Sequence, residues 1–252
     1  MPAAFANAYV TGASSGLGAA VARSLAARGT RVVLAARRAP LLEELARELC
    51  AAGGRAEVAP VDVADADAVR AEVARWDAAL GGLDLVLANA GVGEARPAQE
   101  LLWPEVMEVL RVNALGACAT LFAGLECMRA RGRGTLGAVS SLAAYRGFPA
   151  SGAYSASKAC LSTFAETLEA DLRGTGIRVV DIRPGFVRTP MTAANTGSMP
   201  CLMDVAPAAD RIVRALERGQ PLCAFPLPMW AAVGLLQALP NALWRRIAPF
   251  VR

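Results

Sequence analysis

The 252-residue chain contains no histidine. That absence removes the chemistries built on imidazole: Ser-His-Asp and Cys-His nucleophilic triads, HExxH metalloproteases and the facial triad of non-haem iron. Lysine is nearly absent too, because all but one of the 26 basic residues are arginine and the exception is Lys158. Proton transfer is therefore left to Tyr, Lys, Cys, Asp or Glu. The six cysteines (Cys50, Cys118, Cys127, Cys160, Cys201 and Cys223) contain no CxxC pair. Without histidine beside them they predict no metal site, only free thiols buried in a reducing cytosol. Charged residues are sparse at 19% with a net charge of +4, and the arginines form no stripe, so no nucleic-acid partner is implied. The N-terminal stretch lacks a basic segment followed by an apolar run, so no secretory leader is predicted.

What the chain has in quantity is apolar residue, 55% of the total, in a length that suits one large domain with a sizeable core. Short apolar runs alternate with helical patterns. NAYVTG, RVVLAA, AEVAPVDV and LDLVLANAG read as strands, separated by helices of which the third is capped by Asp65. Two long helices, Gln99–Val112 and Ala114–Ala130, are expected next. They are followed by a strand TLGAVSS, a helix Gly152–Leu172, a strand IRVVDIRPG, a helix Ala206–Arg218 and a short strand at LCAF. This βαβ series predicts an α/β fold, a single doubly wound Rossmann domain with a parallel sheet and helices on both faces. Residues 1–219 are assigned to dinucleotide binding and catalysis, with a substrate loop at 190–205, and residues 220–252 to an apolar C-terminal extension of the same domain.

The first strand–helix junction is TGASSGLG. Gly12, Gly16 and Gly18 supply a tight turn and close backbone approach, Ser14 and Ser15 supply hydroxyl donors, and the helix N-terminus suits a pyrophosphate. The second strand ends in Ala36-Arg37-Arg38, where an NAD site places an acid. Two arginines there favour the 2′-phosphate of NADP(H) over NAD(H). Further on, Tyr154, Lys158, Leu161, Ala165, Leu168 and Leu172 step along one helix face, so the single lysine sits one turn from a tyrosine at the head of an apolar stripe. A buried ammonium needs a polar partner and lowers the pKa of a neighbouring phenol, which makes the tyrosine a usable acid or base.

TGASSGLG together with Tyr154-Ser-Ala-Ser-Lys158 resembles the short-chain dehydrogenase/reductase family, from Ala6 to Gly219. ANAG resembles the family's NNAG segment with Ala88 in place of the first Asn. RVNALG supplies Asn113, VSSLAA supplies Ser141 thirteen residues before Tyr154, PVDVAD supplies Asp62, and RPGFVRT supplies Pro184, Gly185 and Thr189. The resemblance implies an NADP-dependent oxidoreductase acting on a carbonyl or secondary alcohol of a small, apolar molecule. In it Tyr154 moves the proton, Ser141 orients the substrate oxygen, Lys158 binds the nicotinamide ribose, and Asn113 holds a water leading to solvent. Cofactor contacts are implied for Leu17 in the Gly-rich turn, for Asp62 and Val63, for Asn89, Ala90 and Gly91, and for Pro184, Gly185, Val187 and Thr189. The family also implies a homodimer or homotetramer, with Leu115, Cys118, Phe122, Leu125 and Met128 as one apolar helix face. A catalytically idle nucleotide-binding regulator is the alternative; it has no need of Tyr154 and Lys158. A Rossmann-type methyltransferase would leave that pair and Ser141 without a role.

Met191, Met199, Leu202 and Met203 suit either an apolar substrate or ordinary packing. The tail carries no charge from Gln220 to Trp244, and its prolines leave an uninterrupted run of eleven residues, short of the roughly 20 that span a bilayer. Two readings stay open. One is an interfacial helix with Trp230, Trp244, Arg245 and Arg246, giving a cytoplasmic protein with peripheral membrane contact. The other is a tail packed over the substrate cleft or against a partner subunit.

Overall fold

The computed structural model describes residues 3–93, 96–193, 195 and 197–250. Its strands are β1 (Asn7–Thr11), β2 (Arg31–Ala36), β3 (Arg55–Pro60), β4 (Leu85–Ala88), β5 (Gly134–Val139), β6 (Ile177–Pro184) and β7 (Leu222–Phe225). All pair in parallel, in the order β3-β2-β1-β4-β5-β6-β7. Side chains of successive residues point to opposite faces, so one strand feeds two cores. Ala8, Val10, Val32, Leu34, Leu85 and Leu87 pack with helices α1 (Gly16–Ala27), α2 (Ala39–Ala51) and α8 (Val205–Arg218). Tyr9, Val33, Ala35, Val86 and Ala88 pack on the other face with α3 (Ala66–Leu80), α5 (Ala117–Arg129) and α6 (Gly152–Asp171). Helix α3 begins as expected, with the Ala68 amide donating to Asp65 Oδ1 at 3.0 Å. The remaining helices are α4 (Trp103–Leu110), α7 (Pro190–Ala193), α9 (Leu227–Ala238) and α10 (Asn241–Ile247).

Three expectations are corrected. The two long helices are one run: α4 passes through a π-helical segment, Arg111–Gly116, directly into α5. The wider turn shifts the phase between α4 and α5. Within α5, Leu125 and Met128 lie in the core and Phe122 is exposed, as is Leu115 just before it, so the five residues do not present one exposed face. The thiols are not all buried: Cys50, Cys160 and Cys201 are exposed and only Cys223 is fully covered.

The strand order reverses between β1 and β4, and the crevice beyond the carboxyl ends of those strands is where ligands bind in such sheets. Everything that follows happens there.

Candidate active site

The turn after β1 is tied to the loop after β4. Thr11 Oγ1 accepts the amides of Asn89 and Ala90 at 2.9 and 3.1 Å, and Asn89 Nδ2 donates to the Thr11 carbonyl at 2.8 Å. Between these two loops there is no room for side chains. A Cβ on Gly12, whose φ is +69°, would lie 2.7 Å from the Ala90 Cα, and one on Gly18 would collide with the Gly12 carbonyl. A Cβ on Gly16, at φ +54°, would press on Thr189. The glycines therefore keep the backbone and the α1 N-terminus open to a ligand, together with Ser14, Ser15 and Leu17, which also face the cleft.

The cleft has a volume of about 440 Å³. One end carries charge. Arg38 Nη2 donates to Ser14 Oγ at 2.9 Å and to Ser15 Oγ at 3.0 Å, so its guanidinium is held over the Gly-rich turn. Arg37 leans instead toward Asp62 (3.9 Å) and Glu108 (4.0 Å). Asp62 and Val63 line this end, and Ala90 and Gly91 line the middle beside Asn89.

The other end holds Ser141, Tyr154 and Lys158. Ser141 follows β5 and starts a short 3-10 turn, Leu142–Ala144, by accepting the Ala143 amide at 3.1 Å. Tyr154 and Lys158 occupy the first two turns of α6. The lysine is 4% exposed, and its Nζ donates to the Val139 carbonyl at 2.8 Å, 5.7 Å from the centre of the Tyr154 ring. Burial pushes its pKa down to about 8, against the opposing pull of Asp181. The Tyr154 phenol moves the other way. Burial raises its pKa, and a hydrogen bond with Ser141 draws it partly back. The depressed phenol pKa expected from the Tyr–Lys spacing is therefore corrected: desolvation outweighs the Ser141 hydrogen bond, and the phenol is raised.

Asn113 lies in the π segment and is fully buried behind the cleft. Its side chain donates to the Val92 carbonyl (2.9 Å) and Ser157 Oγ (3.2 Å), and accepts the Val92 amide (2.8 Å). An α-helical continuation would turn it elsewhere, so the π turn is what aims it. Opposite, Pro184, Gly185, Val187 and Thr189 form the wall after β6. There the Thr192 hydroxyl donates to the Val187 carbonyl at 2.7 Å and accepts the Thr189 amide at 2.9 Å.

A family model described as short chain dehydrogenase matches residues 6–199. The chain belongs to the short-chain dehydrogenase family. An uncharacterized oxidoreductase of Myxococcus xanthus is 46% identical over 248 residues, 98% of each chain. A cis-4-hydroxycyclohexanecarboxylate dehydrogenase of Sinomonas cyclohexanicum is 36% identical, over 86% of this chain and 88% of its own. Among solved structures, an alcohol dehydrogenase of Thermococcus sibiricus complexed with 5-hydroxy-NADP superposes with a TM-score of 0.77 at 30% identity. It covers 87% of this chain and 94% of its own. A metagenomic short-chain oxidoreductase in complex with NADP gives 0.75 at 33% identity, over 87% and 96%.

For this dehydrogenase-family chain, every site residue expected from sequence lines the cleft except Asn113, which braces it from behind. Residues 194 and 196 of the expected substrate loop lie outside the described residues. Within that loop, Met191 lines the cleft, while Met203 packs on the core beside α8. Sequence reasoning gave no role to Thr11, Thr192 or Ser157, whose hydroxyls carry the hydrogen bonds that hold the loops. Thr11 stood inside the quoted motif, but nothing in a sequence says which hydroxyl reaches across to another strand.

Proposed function

We propose that this chain is an NADP(H)-dependent reductase of apolar carbonyl compounds, working in reverse on the corresponding secondary alcohols. The observation that carries the reading is the pairing, within one cleft, of the Arg38–Ser14–Ser15 cluster at one end with Ser141, Tyr154 and Lys158 at the other. The residues present fit a nicotinamide dinucleotide. Gly12, Gly16 and Gly18 leave a cradle that a Cβ would fill, and the α1 N-terminus beside Ser14 and Ser15 offers amide donors for the pyrophosphate. Arg38, with Arg37 beside it, supplies the planar guanidinium that suits a 2′-phosphate. Asp62 and Val63 flank the adenine end, Asn89 to Gly91 and Leu17 the middle, and Pro184, Gly185, Val187 and Thr189 the carboxamide end. When bound, the nicotinamide supplies or accepts the hydride.

The chain's own residues handle the proton. Tyr154, its pKa raised by burial, keeps its proton at neutral pH and is set up as the donor to a substrate oxygen. Ser141, hydrogen-bonded to that phenol, orients the oxygen. Lys158, with a pKa of about 8, is mostly cationic at pH 7 and stabilises negative charge on the phenol after transfer. Asn113 fixes the Val92 backbone and donates to Ser157, the neighbour of Lys158 on α6. The substrate end is bounded by Val92, Gly185 and Met191, with no charged side chain besides Lys158 among the described residues, and suits an uncharged apolar ketone.

Of the two readings of the tail, packing on the catalytic domain is the better supported. Trp244 is 9% exposed, and Trp230 donates its indole N–H to the Tyr145 hydroxyl at 2.9 Å. Neither is free to anchor in a bilayer. The exposed Leu115 and Phe122 on the 103–129 run offer apolar surface to a second subunit, in keeping with a homo-oligomer.

Fluorescence titration with NADPH and NADH, joined to a turnover screen over cycloalkyl and aryl ketones, tests the reading. NADPH should bind at least tenfold tighter than NADH. Tyr154→Phe should lower turnover by about 10²–10⁴-fold while leaving NADPH affinity within threefold. A Tyr154→Phe protein that turns over at the wild-type rate would refute the proposal.

A further inference from the structure

The proton-transfer site described above assigns no part to the residues that follow Ser141 or to the C-terminal helices. The structure joins the two. Ser141 is the first residue of a turn whose last residue is Tyr145, because the Ala144 amide donates to the Ser141 carbonyl (3.0 Å) and the Tyr145 amide to the Leu142 carbonyl (3.3 Å). Wherever Tyr145 is held, the Ser141 hydroxyl is held with it.

Tyr145 is gripped on two sides. The Arg183 guanidinium lies over its ring at 4.5 Å, and the Trp230 indole donates to its hydroxyl at 2.9 Å. Arg183 is itself fixed, since its Nε pairs with Asp181 Oδ2 at 2.7 Å and the two side chains are only 13% and 7% exposed. A buried ion pair is tolerated only when its remaining polar atoms are satisfied. Here Ser140 donates to the Lys158 carbonyl (2.9 Å), and the single Ser162 hydroxyl proton is shared between Ser140 Oγ (2.8 Å) and the more distant Asp181 Oδ1 (3.4 Å). One hydrogen-bonded chain thus runs from the backbone of the site lysine, through β6, to the face of Tyr145. A second set of contacts closes over the outside of the same loop. Arg146 donates to the Gln237 carbonyl (3.0 Å) and Asn241 Oδ1 (3.1 Å) and sits 5.1 Å over the Trp244 ring, while Phe148 meets Trp244 edge-on at 5.9 Å.

We propose that Trp230 and Tyr145 are a positioning pair, seated on the Asp181–Arg183 ion pair, through which helix α9 sets the turn that aims the Ser141 hydroxyl. Neither residue touches the reacting atoms. The C-terminal helices act on the chemistry through the turn, and loosening α9 loosens the serine. For its kinetic consequence the inference rests on the reductase reading; for its structural consequence it does not.

The test uses the full-length protein as wild type, Trp230→Phe, Tyr145→Phe and the double variant, with Trp76→Phe on α3 as a control remote from the site. Tyr145→Phe loses one hydroxyl and keeps its bulk, so it isolates the hydrogen bond, while Trp230→Phe loses the donor together with part of the ring system and is read against the equally truncated Trp76→Phe. Amide hydrogen exchange is read at Ala143 and Ala144. Kinetics are read with NADPH and 1-phenylpropane-1,2-dione as the probe ketone. Exchange at the two amides is expected to quicken about tenfold in each single variant and no further in the double, because the partners share one interaction. The kcat for the probe should fall about 5–20-fold, with KM and NADPH affinity within threefold, as misalignment of a hydroxyl predicts. A packing role alone would lower the melting temperature and leave kcat and these amides unmoved relative to Trp76→Phe. Unchanged exchange at Ala143 and Ala144, or losses that simply add in the double variant, overturns the inference. If no form, wild type included, oxidises NADPH with the probe while exchange quickens as stated, the inference stands and the reductase reading with this ketone class falls.

Discussion

Arg38→Ala is the most direct challenge to the proposed cofactor preference. The side chain is exposed, yet Ser14 and Ser15 hold its Nη2 at 2.9 and 3.0 Å, so its position is set before any phosphate arrives. A hydrogen bond to a charged group contributes about 1.5–3 kcal/mol, and solvent exposure pulls that toward the bottom of the range. Taking about 1–2 kcal/mol, and about 1.4 kcal/mol per tenfold in affinity, the NADPH dissociation constant should rise roughly 5–30-fold. NADH lacks the phosphate and should weaken by less than threefold. Arg37→Ala should cost less than Arg38→Ala, because Arg37 already shares its charge with Asp62 at 3.9 Å and Glu108 at 4.0 Å. Salt adds a second axis. With a Debye length of about 8 Å at physiological ionic strength, the NADPH advantage should shrink as salt is raised, in wild type and not in Arg38→Ala. Titration of cofactor fluorescence in low and high salt measures all of this. Equal losses for the two cofactors, or an Arg37 effect larger than that of Arg38, would show that the guanidinium over the Gly-rich turn does not read the phosphate.

Two further outcomes follow from the same geometry. Gly18→Ala places a Cβ against the Gly12 carbonyl and 2.5 Å from Asn89 Nδ2, so the two loops must part. Overpacking of this kind costs about 1–3 kcal/mol, and denaturant melts should show that loss together with loss of NADPH binding. Lys158→Met should abolish turnover while changing the pH dependence of stability in a defined direction. The wild-type lysine titrates near 8 when folded and at its higher ordinary value when unfolded, so between those values the unfolded chain binds more protons and wild-type stability gains with rising pH. Relative to Lys158→Met, wild type should therefore be at its weakest below pH 8 and recover above it. Urea midpoints at pH 7 and pH 9.5 measure the change, and a wild-type stability that falls relative to Lys158→Met between them would contradict a buried ammonium.

How much of this could be read from the sequence depends on how local each feature is. The Gly-rich turn and the Tyr154–Lys158 step are set by chain spacing, and the parallel sheet by apolar alternation, so all three were legible. The arginine pair was visible, but which of the two lies over the Gly-rich turn depends on hydrogen bonds to Ser14 and Ser15, more than twenty residues away in sequence. The π turn was not legible, because one extra residue in a helical turn leaves composition untouched and only shifts which side chains face inward. It places Asn113 behind the cleft and resets the phase of α5 relative to α4. The sign of the Tyr154 shift was missed for a related reason. Spacing shows that an ammonium is near, but it does not show how deeply the phenol is buried, and burial sets the direction of the shift. Asp181 and Arg183 read as ordinary punctuation in a strand. The tail, apolar on every side, offered no period to say which residues turn inward. Both belong to an arrangement that exists only when β6, α6 and α9 meet, so the contacts that hold Ser141 in place are the ones a linear reading is least able to see.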